Sequence, residues 1–345
     1  MRLFLKRLRN SLIDSISEKI RGKFGESISC LHDNWFSQAD VTDKLLLIAG
    51  RQVSWQLRSC RNLNTFEDVE FRVFSQWGED GIIEWILQNL PIEHKTFIEF
   101  GVENYREANT RFLIENRNWK GLVIDGSDAN IQTLRSNKLY WMFDITAVTE
   151  FITRGNINRI ISENGFAGEL GILSIDIDGN DYWVMEAIDC VNPSVIICEY
   201  NPILGDKYPI TIPYEPSFSR LVAHHSGLYF GASIAAIKLL AKRKGYEFLG
   251  TNSNGINAFF VRKDLFPHLE PLIANRKAYP SKHRDSRAQD GSLTYVSGLG
   301  RYDLIKHLQV IRVDTGENVI FESLGIPYSQ EWLSGMSIHH SFLGR

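Results

Sequence analysis

The spacing of hydrophobic residues along the chain changes near Phe71. From there on, short apolar runs typical of buried strands alternate with segments whose apolar residues recur at helical spacing. The runs predict strands at Thr96–Phe100, Gly121–Asp125, Trp141–Asp144, Ile172–Ile177 and Val195–Glu199. The segments predict helices at Glu79–Leu90, from about Asn109, from about Asn130, around Ile157–Glu163 and at Tyr182–Ile188. This alternation predicts an α/β fold, a doubly wound and mostly parallel sheet with helices on both faces.

Three further segments complete the predicted sheet domain. Ala232–Lys244 has helical spacing. Tyr246–Gly250 and Asn257–Val261 have the pattern of two strands, joined by a turn that carries Gly and Asn. We therefore expect the sheet to end in an antiparallel pair.

These patterns divide the chain into three predicted parts. Residues 1–70 form a helical N-terminal extension, 71–265 the α/β domain, and 266–345 a C-terminal appendage. The appendage contains a basic segment at 282–287 and a predicted hairpin at Leu308–Glu322. The sequence assigns the appendage no role.

The first 24 residues have a basic amphipathic pattern, and a second helix is predicted over Val41–Leu57. The functional interpretation of 1–24 is a helix that lies on an anionic membrane surface. The alternative is that its apolar face packs on the body of the protein or on a second copy of the chain, giving a homo-oligomer. That face consists of Phe4, Leu8, Leu12, Ile16, Ile20 and Phe24.

Composition narrows the class of protein. The chain has 345 residues and 43% hydrophobic content, which is an ordinary composition for a globular protein. Its formal net charge of −3 gives no reason to expect nucleic-acid binding. Its cysteines lack metal-binding or redox spacing, which makes a reducing cytoplasm the simplest setting. No apolar run approaches the ~18 residues of a membrane span. Lys6, Arg7 and Arg9 interrupt the N-terminal apolar residues, so no signal peptide is expected.

Acidic residues stand at the carboxyl ends of predicted strands. Glu99 and Asp125 do so, and the apolar run from Ile172 ends in Asp176 and Asp178. Ligands bind at this edge of open α/β sheets, and an acid after the second strand can hydrogen-bond ribose hydroxyls. The alternative is ordinary helix capping by these residues.

The spacing of glycines after the first strand indicates which kind of cofactor the loop can bind. A dinucleotide fingerprint, GxGxxG, would seat a pyrophosphate on a helix N-terminus. Gly101 is followed instead by Val102, Glu103, Asn104 and Tyr105, and Glu103 would repel a phosphate. A cofactor without phosphates, such as S-adenosylmethionine, fits this loop better.

The segment Phe97–Glu199 resembles the FkbM-type family of class I S-adenosylmethionine-dependent methyltransferases. That family has an acid-x-Gly first strand, and its second strand ends in an acid followed by Asn, Leu and Asn. An Asp-x-acid-Gly-x-acid segment and a Pro-initiated strand ending in Glu come next. The matching residues here are Glu99, Gly101, Asp125, Asn130, Leu134, Asn137, Asp176, Asp178, Gly179, Asp181, Pro193 and Glu199. The wider region, 71–264, looks like a subgroup found among bacterial surface-glycan genes.

The resemblance implies a cofactor wall and a catalytic side. The residues implied to line the cofactor are Glu99, Gly101, Asp125, Gly126, Ser127 and Asp144, the last near the adenine at the end of the third strand. Asp176 would be a general base or a metal ligand. Glu199 and Asn201 lie two apart, on one face of an extended chain, and their oxygens together with Asp176 suit Mg²⁺. Without a metal, Asp176 or Asp178 is the candidate base.

Other residues have two interpretations. His225, next to His224, is a third candidate base, and the alternative is a structural or solvated loop histidine. Asn180 and Asp181 are expected to cap the helix that begins near Tyr182. Aromatic residues between positions 200 and 230 are equally suited to a sugar-binding face, a lid or a core.

The loop after the first strand departs from the family pattern. Glu103 and Tyr105 stand where the wider family usually has Asn and a second Gly. Tyr105 is expected to crowd the cofactor unless the loop is rebuilt. The predicted function is O-methylation of a sugar or glycan intermediate in surface polysaccharide biosynthesis. The alternative is a non-catalytic glycan- or nucleotide-binding member of the fold, and a dehydrogenase ranks third because the glycines are missing.

Overall fold

The computed structural model describes residues 41–337 of the chain. The chain divides into two compact units, Met1–Arg51 and Gln52–Arg345. Residues 41–57 are helical, which confirms the second predicted helix. The predicted basic helix over residues 1–24 lies outside the described residues.

The second unit alternates strands and helices. Its strands are β1 Thr96–Phe100, β2 Lys120–Asp125, β3 Ile145–Thr149, β4 Gly168–Ile175, β5 Val191–Glu199, β6 Ile210–Thr211, β7 Tyr246–Thr251, β8 Asn257–Arg262, β9 Gln309–Arg312 and β10 Asn318–Ile320. The helices of the described residues are α1 at 41–57, α2 Glu79–Asn89, α3 Arg111–Arg117, α4 Asp128–Ser136, α5 Lys138–Met142, α6 Ile157–Glu163, α7 Asp181–Ala187, α8 Arg220–Ala223, α9 Ile234–Arg243, α10 Leu299–Ile305 and α11 Gln330–Ser337.

Seven strands form one sheet in the order β3-β2-β1-β4-β5-β8-β7. Strands β1 to β5 are parallel to one another, β8 is antiparallel to β5, and β7 is antiparallel to β8. The predicted doubly wound, mostly parallel sheet with an antiparallel end is confirmed. Two reversals bring β7 back to the direction of β5. The carboxyl ends of β1 to β5 and β7 therefore lie at one edge, called here the carboxyl edge.

Both faces of the central strands are buried, which explains why these strands are nearly continuous apolar runs. Alternate residues point to opposite faces. Ile98 and Leu173 are cross-strand neighbours in the core on one face, whereas Phe97 and Ile172 are neighbours in the core on the other. The helices that follow each strand cover these two layers.

The third strand differs from the prediction. Trp141–Asp144 was predicted as a strand, but α5 covers Lys138–Met142 and β3 begins at Ile145. The Asn137 side chain accepts a hydrogen bond from Leu139 N and caps α5. Trp141 is 77% exposed and Met142 51%, so of the apolar side chains of this run only Phe143 packs against the core. The β-branched run that follows has the stronger strand preference.

The regions flanking the sheet also pack on it. Leu63, Phe66 and Val69 belong to the core on one face, and Tyr302 and Phe321 belong to the other. The predicted hairpin is confirmed as β9 and β10, and β6 pairs with β9 in a second, three-stranded sheet. The domain boundaries at 70 and 265 stay predictions. Within residues 41–337, no helix has the length and apolar character needed to cross a membrane.

Candidate active site

A cavity of about 210 Å³ lies at the carboxyl edge, among the loops that follow β1, β2, β3 and β4. We call it the strand-end pocket. Its lining residues are Gly101, Glu103, Ile124, Asp125, Gly126, Glu150, Phe151, Ile152, Asp176, Ile177, Asp178, Asn180 and Phe218. The pocket is smaller than the about 300 Å³ at which small-molecule sites usually begin. Five of the predicted site residues line it: Gly101, Asp125, Gly126, Asp176 and Asp178.

Gly101 joins two walls of the pocket. Its φ is +68°, and a Cβ built on it would lie 1.7 Å from the carbonyl oxygen of Asp176. No side chain fits there, because real Cβ atoms do not approach a backbone atom so closely and because the backbone is left-handed. Glycine is therefore required for the loop after β1 to lie against the loop after β4.

The loop after β1 is rebuilt around two residues with positive φ, Glu103 at 47° and Tyr105 at 62°. Tyr105 is buried in the core, and its hydroxyl lies 2.8 Å from Thr110 Oγ1. It does not line the strand-end pocket. Glu103 is exposed and lines the pocket.

Glu99 does not line the pocket and organises the chain before α3. Its carboxylate accepts hydrogen bonds from Asn109 N at 2.8 Å, from Thr110 N at 3.0 Å and from the Thr110 hydroxyl. Burial raises the pKa of Glu99 to about 7. The predicted contact of Glu99 with a cofactor gains no support from this position.

Asp125 ties two loops together. Its Oδ2 accepts from Glu103 N at 2.8 Å, and its Oδ1 accepts from Ser127 N at 2.8 Å and from Asn130 Nδ2 at 3.2 Å. Ser127 is the N-cap of α4, and its side chain accepts from Asn130 N at 3.4 Å. A carboxylate has about four accepting positions. One position of Asp125 is left for a ligand.

The predicted role of Asp144 rested on a wrong strand. Asp144 immediately precedes β3, level with Gly121 at the start of β2, and lies at the opposite edge of the sheet from the pocket. The rise of a strand places it about 17 Å from the end of β3. The residues that follow β3 are Glu150 and Phe151, and both line the pocket.

Three carboxylates meet beside the pocket. One oxygen from each of Asp176, Asp181 and Glu199 lies within 4.8 Å of the others, and we call this group the acid cluster. Ile175 at the end of β4 pairs with Cys198 on β5, which brings the following residues Asp176 and Glu199 together. Asp181 is the first residue of α7. Asp176 is the member of the cluster that lines the pocket.

The acid cluster is electrostatically strained. Burial, followed by repulsion from neighbouring acids, raises the pKa of Asp176 and of Glu199 well above the usual range. Burial also raises the pKa of Asp181 to about 6, although Ile177 N at 2.8 Å and Gly179 N at 2.9 Å donate to it. Among the described residues, Glu199 Oε2 has no hydrogen-bond partner. Such a group binds either protons or a cation.

Asp178 stands outside the acid cluster. Its side chain is 59% exposed and forms a salt bridge with Arg220, whose guanidinium lies 4.5 Å from the ring centroid of Phe230. Asp178 has a φ of 55°. Its backbone is thus held in the turn between β4 and α7, and its carboxylate faces solvent and Arg220.

The side-chain amides of Asn180 and Asn201 form hydrogen bonds with nearby loops. Asn180 occupies the N-cap position of α7 but makes no side-chain cap bond, and its Nδ2 donates to Glu215 O at 2.8 Å. Its Oδ1 has no partner within residues 41–337. Asn201 accepts from Ile203 N at 3.0 Å and donates to two carbonyls of the loop before α9. The amide of Asn201 therefore holds its own loop, and Asp181 is the third acid beside Asp176 and Glu199.

His225 belongs to a histidine group and does not line the strand-end pocket. Its ring centroid lies 4.3 Å from that of His224, which in turn lies 5.9 Å from that of His307. His224 Nδ1 lies 2.7 Å from Ser226 Oγ. This arrangement favours the structural interpretation of the pair.

No family model matches the chain, and no curated protein matches it. Solved structures do. TehB from Haemophilus influenzae has 13% identity and a TM-score of 0.30, over 49% of this chain and 57% of that one. An S-adenosylmethionine-dependent methyltransferase from Clostridium acetobutylicum has 10% identity and a TM-score of 0.34, over 53% and 90%. The N-terminal domain of EvdMO1 with SAH bound has 11% identity and a TM-score of 0.34, over 61% and 94%.

The chain has the class I methyltransferase fold. The sheet order, with β8 inserted antiparallel beside β5, defines that fold independently of the distant likenesses. Chemistry has to be argued from the site, because a fold hosts many functions.

Sequence reasoning missed several lining residues. Glu150 and Phe151 would have followed from a correct third strand, because the β-branched run ends at Thr149. Phe218 carries no local signal. Its ring packs over Gly179, where a Cβ would lie 2.2 Å from Phe218 Cδ1.

Proposed function

We propose that the chain is an S-adenosylmethionine-dependent methyltransferase of the FkbM type. Its substrate in this proposal is a hydroxyl of a sugar or glycan intermediate in bacterial surface-polysaccharide biosynthesis. One observation carries the proposal: Asp176 lines the strand-end pocket and also belongs to the acid cluster. A methyl donor in the pocket and a group that takes the acceptor's proton would then be neighbours, as methyl transfer to oxygen requires.

The lining of the pocket fits a nucleoside. Asp125 keeps one accepting position for a ribose hydroxyl. Phe151 is 52% exposed and offers a flat apolar face beside Gly126. In this proposal Phe151 takes the adenine-side position that was assigned to Asp144. S-adenosylmethionine, when bound, supplies a methyl group on a positively charged sulfur.

Asp176 is the residue that we assign to the acceptor's proton. Its raised pKa makes the ionised form a stronger base than an ordinary carboxylate. Asp176 loses its own proton when a cation binds beside it, because an opposite charge lowers the pKa of an acid. Asp178 is the less favoured base, since its exposed carboxylate is paired with Arg220.

In the alternative with a metal, Asp176 is a ligand and not the base: the acid cluster suits Mg²⁺, which prefers oxygen ligands. Asp176, Asp181 and Glu199 would hold the ion, and Glu199 Oε2 has no competing partner among the described residues. A bound Mg²⁺ would lower the pKa of a sugar hydroxyl. Asn201 is less favoured as a ligand than predicted, because its oxygen already accepts from Ile203 N.

Titration calorimetry with S-adenosylmethionine and S-adenosylhomocysteine, each with Mg²⁺ present, tests the proposal. We expect both to bind the wild type. In separate titrations without Mg²⁺, in buffers of different ionisation enthalpy, S-adenosylmethionine should release more protons than S-adenosylhomocysteine, because only the former carries the sulfonium charge. Asp125→Ala should weaken binding about tenfold or more. Asp176→Ala should leave binding largely intact and abolish transfer of labelled methyl groups to saccharide acceptors.

Two further variants separate a binding defect from a folding defect. Phe151→Ala alters an exposed ring and should weaken binding without unfolding the protein. Asp128→Ala removes an exposed acid at the start of α4, the helix that follows Asp125, and serves as the matched control. We expect this variant to bind as the wild type does. Absence of binding of either compound to the wild type would contradict the proposal.

A second candidate function is a non-catalytic glycan- or nucleotide-binding protein. The small volume of the strand-end pocket and the three donors already bound to Asp125 favour it. S-adenosylmethionine or S-adenosylhomocysteine retained through purification and detected by mass spectrometry would speak against it. A cytoplasmic location, membrane contact through residues 1–24 and a homo-oligomer remain predictions.

A further inference from the structure

A second cavity, of about 1,090 Å³, lies away from the residues used above. Its walls come from residues 64–68, the start of α9, the segment 275–282 and the chain at 329–335. We call it the outer pocket. Its volume exceeds the range of about 300–1,000 Å³ that is usual for single small ligands. The cavity therefore has room for a ligand of several units.

The outer pocket and the acid cluster lie at the same edge of the sheet. Thr251 at the end of β7 is in register, through Ala258 and Cys198, with Ile175 at the end of β4. Three strand intervals separate Thr251 from Ile175, or about 14 Å. Thr251 N donates to Lys277 O at 3.0 Å, and Tyr279 N donates to Thr251 Oγ1 at 3.1 Å. This wall of the pocket is thereby fixed to the carboxyl edge.

Trp332 gives the clearest sign of a ligand. It lines the outer pocket, is only 3% exposed, and its indole N–H has no hydrogen-bond partner among residues 41–337. Leaving a buried donor unpaired costs about 1–3 kcal/mol. An oxygen of a bound molecule that reaches the indole nitrogen would accept this hydrogen bond.

The charges of the lining indicate the chemical class of that molecule. Acidic and basic side chains are balanced: Glu67, Asp68, Asp206 and Glu331 against Lys238, Arg276, Lys277 and Lys282. Nucleic acids and other polyanions need an excess of positive charge. The lining mixes hydrogen-bond donors and acceptors with the aromatic side chains of Tyr279 and Trp332. A neutral ligand with many hydroxyl groups can use the donors, the acceptors and the aromatic side chains.

We propose that the outer pocket binds several sugar units of a neutral oligosaccharide, the far part of an acceptor whose reacting hydroxyl lies at the acid cluster. The assignment of this saccharide as an acceptor rests on the proposed function. Its binding in the outer pocket does not require the methyl donor.

An array of defined neutral and acidic oligosaccharides, probed with the full chain without cofactor, tests the proposal. Neutral oligosaccharides of several units should bind, and calorimetry on the bound ones gives the affinities. Trp332→Phe keeps an aromatic ring but removes the donor, and should weaken binding about tenfold. Lys238→Met removes a donor of the α9 wall and should weaken binding too. Lys242→Met, at an exposed position of the same helix, is the matched control and should bind as the wild type does.

The outcomes separate this site from the methyltransferase proposal. No binding to the array, binding of acidic oligosaccharides alone, or binding that neither pocket variant changes would overturn the outer-pocket proposal. If Trp332→Phe fails to fold, Lys238→Met decides. If saccharides bind but S-adenosylmethionine does not, the methyltransferase proposal is contradicted and the non-catalytic function is favoured. If S-adenosylmethionine binds but no saccharide does, the methyltransferase proposal stands and the outer-pocket proposal is contradicted.

Discussion

Two pairs of acids, all buried except the half-buried Asp176, stand at the same edge of the sheet but have opposite surroundings. Glu99 and Asp125 lie at the carboxyl ends of β1 and β2, and six hydrogen bonds from neighbouring groups reach them. Asp176 directly after β4 and Glu199 at the end of β5 face other carboxylates, and Glu199 Oε2 is unpaired within the described residues. The first pair organises loops. The second keeps unused binding capacity, which is where chemistry is expected.

The two pairs differ in how far hydrogen bonds offset the cost of removing their carboxylates from water. A buried carboxylate loses its hydration, and hydrogen bonds from the backbone offset much of that cost. Glu99 has such donors from the chain before α3. The acid cluster instead adds like charges to a buried site, which destabilises the ionised form. Stability given up in this way is common at functional sites.

The largest expected effect comes from Glu99→Ala. The substitution leaves Asn109 N and Thr110 N buried without their acceptor, and leaves the Thr110 hydroxyl with the Tyr105 hydroxyl as its partner. We expect a loss of about 3 kcal/mol in the free energy of unfolding, measured in urea. Glu103→Ala, an exposed acid of the same region, should change stability by less than about 0.5 kcal/mol. A Glu99→Ala protein that is fully stable but no longer binds S-adenosylmethionine would reverse the comparison.

For Glu199→Gln we expect a smaller change in the free energy of unfolding, and a gain in stability instead of a loss. The folded pKa of Glu199 is raised, so its carboxyl favours the folded state at low pH, and this contribution is lost as pH rises through the folded pKa. The neutral amide avoids that loss. Urea unfolding should therefore show the variant more stable than the wild type at pH 8, on the order of 1 kcal/mol, with the difference narrowing toward pH 5.

Mg²⁺ and a control variant sharpen this result. Mg²⁺ should raise the stability of the wild type at pH 8 more than at pH 5, because protons compete with the metal for the carboxylates. It should not stabilise Glu199→Gln. Glu186→Gln, exposed on α7, should stay within about 0.5 kcal/mol of the wild type at both pH values. A Glu199→Gln protein less stable than the wild type at pH 8 would show that the carboxylate is already compensated.

The smallest effect is expected for Asp178→Asn. The salt bridge with Arg220 is largely solvent-exposed on the Asp178 side, and such pairs contribute about 0–1 kcal/mol. Asn tolerates the φ of 55°, so the backbone is not strained further. Asp178→Ala should lose about 1 kcal/mol more in urea unfolding, because alanine lacks that tolerance. Equal stabilities of the two variants would place the residue's role in the ion pair alone.

Local pattern predicted most of the architecture. Apolar runs of the right length and the helices between them were enough for β1, β2, β4 and β5, because strand and helix periods are local properties. The prediction of the third strand was wrong because Trp141 and Met142 have the sequence pattern of a buried run, although both side chains are exposed. Whether an apolar residue finds a core depends on what packs against it.

The candidate site divides in the same way. The chain's local chemistry determined that acids would follow apolar strands at one edge of a parallel sheet, because strand direction and strand ends are set by the order of the elements. Only the tertiary structure decided what each acid does. Asp125 accepts a hydrogen bond from Glu103 N, 22 residues away in the sequence, and Asp181 joins Asp176 and Glu199 in the acid cluster. Hydrogen bonds and like charges act over a few ångströms in space, so their partners are fixed by packing and not by spacing along the chain.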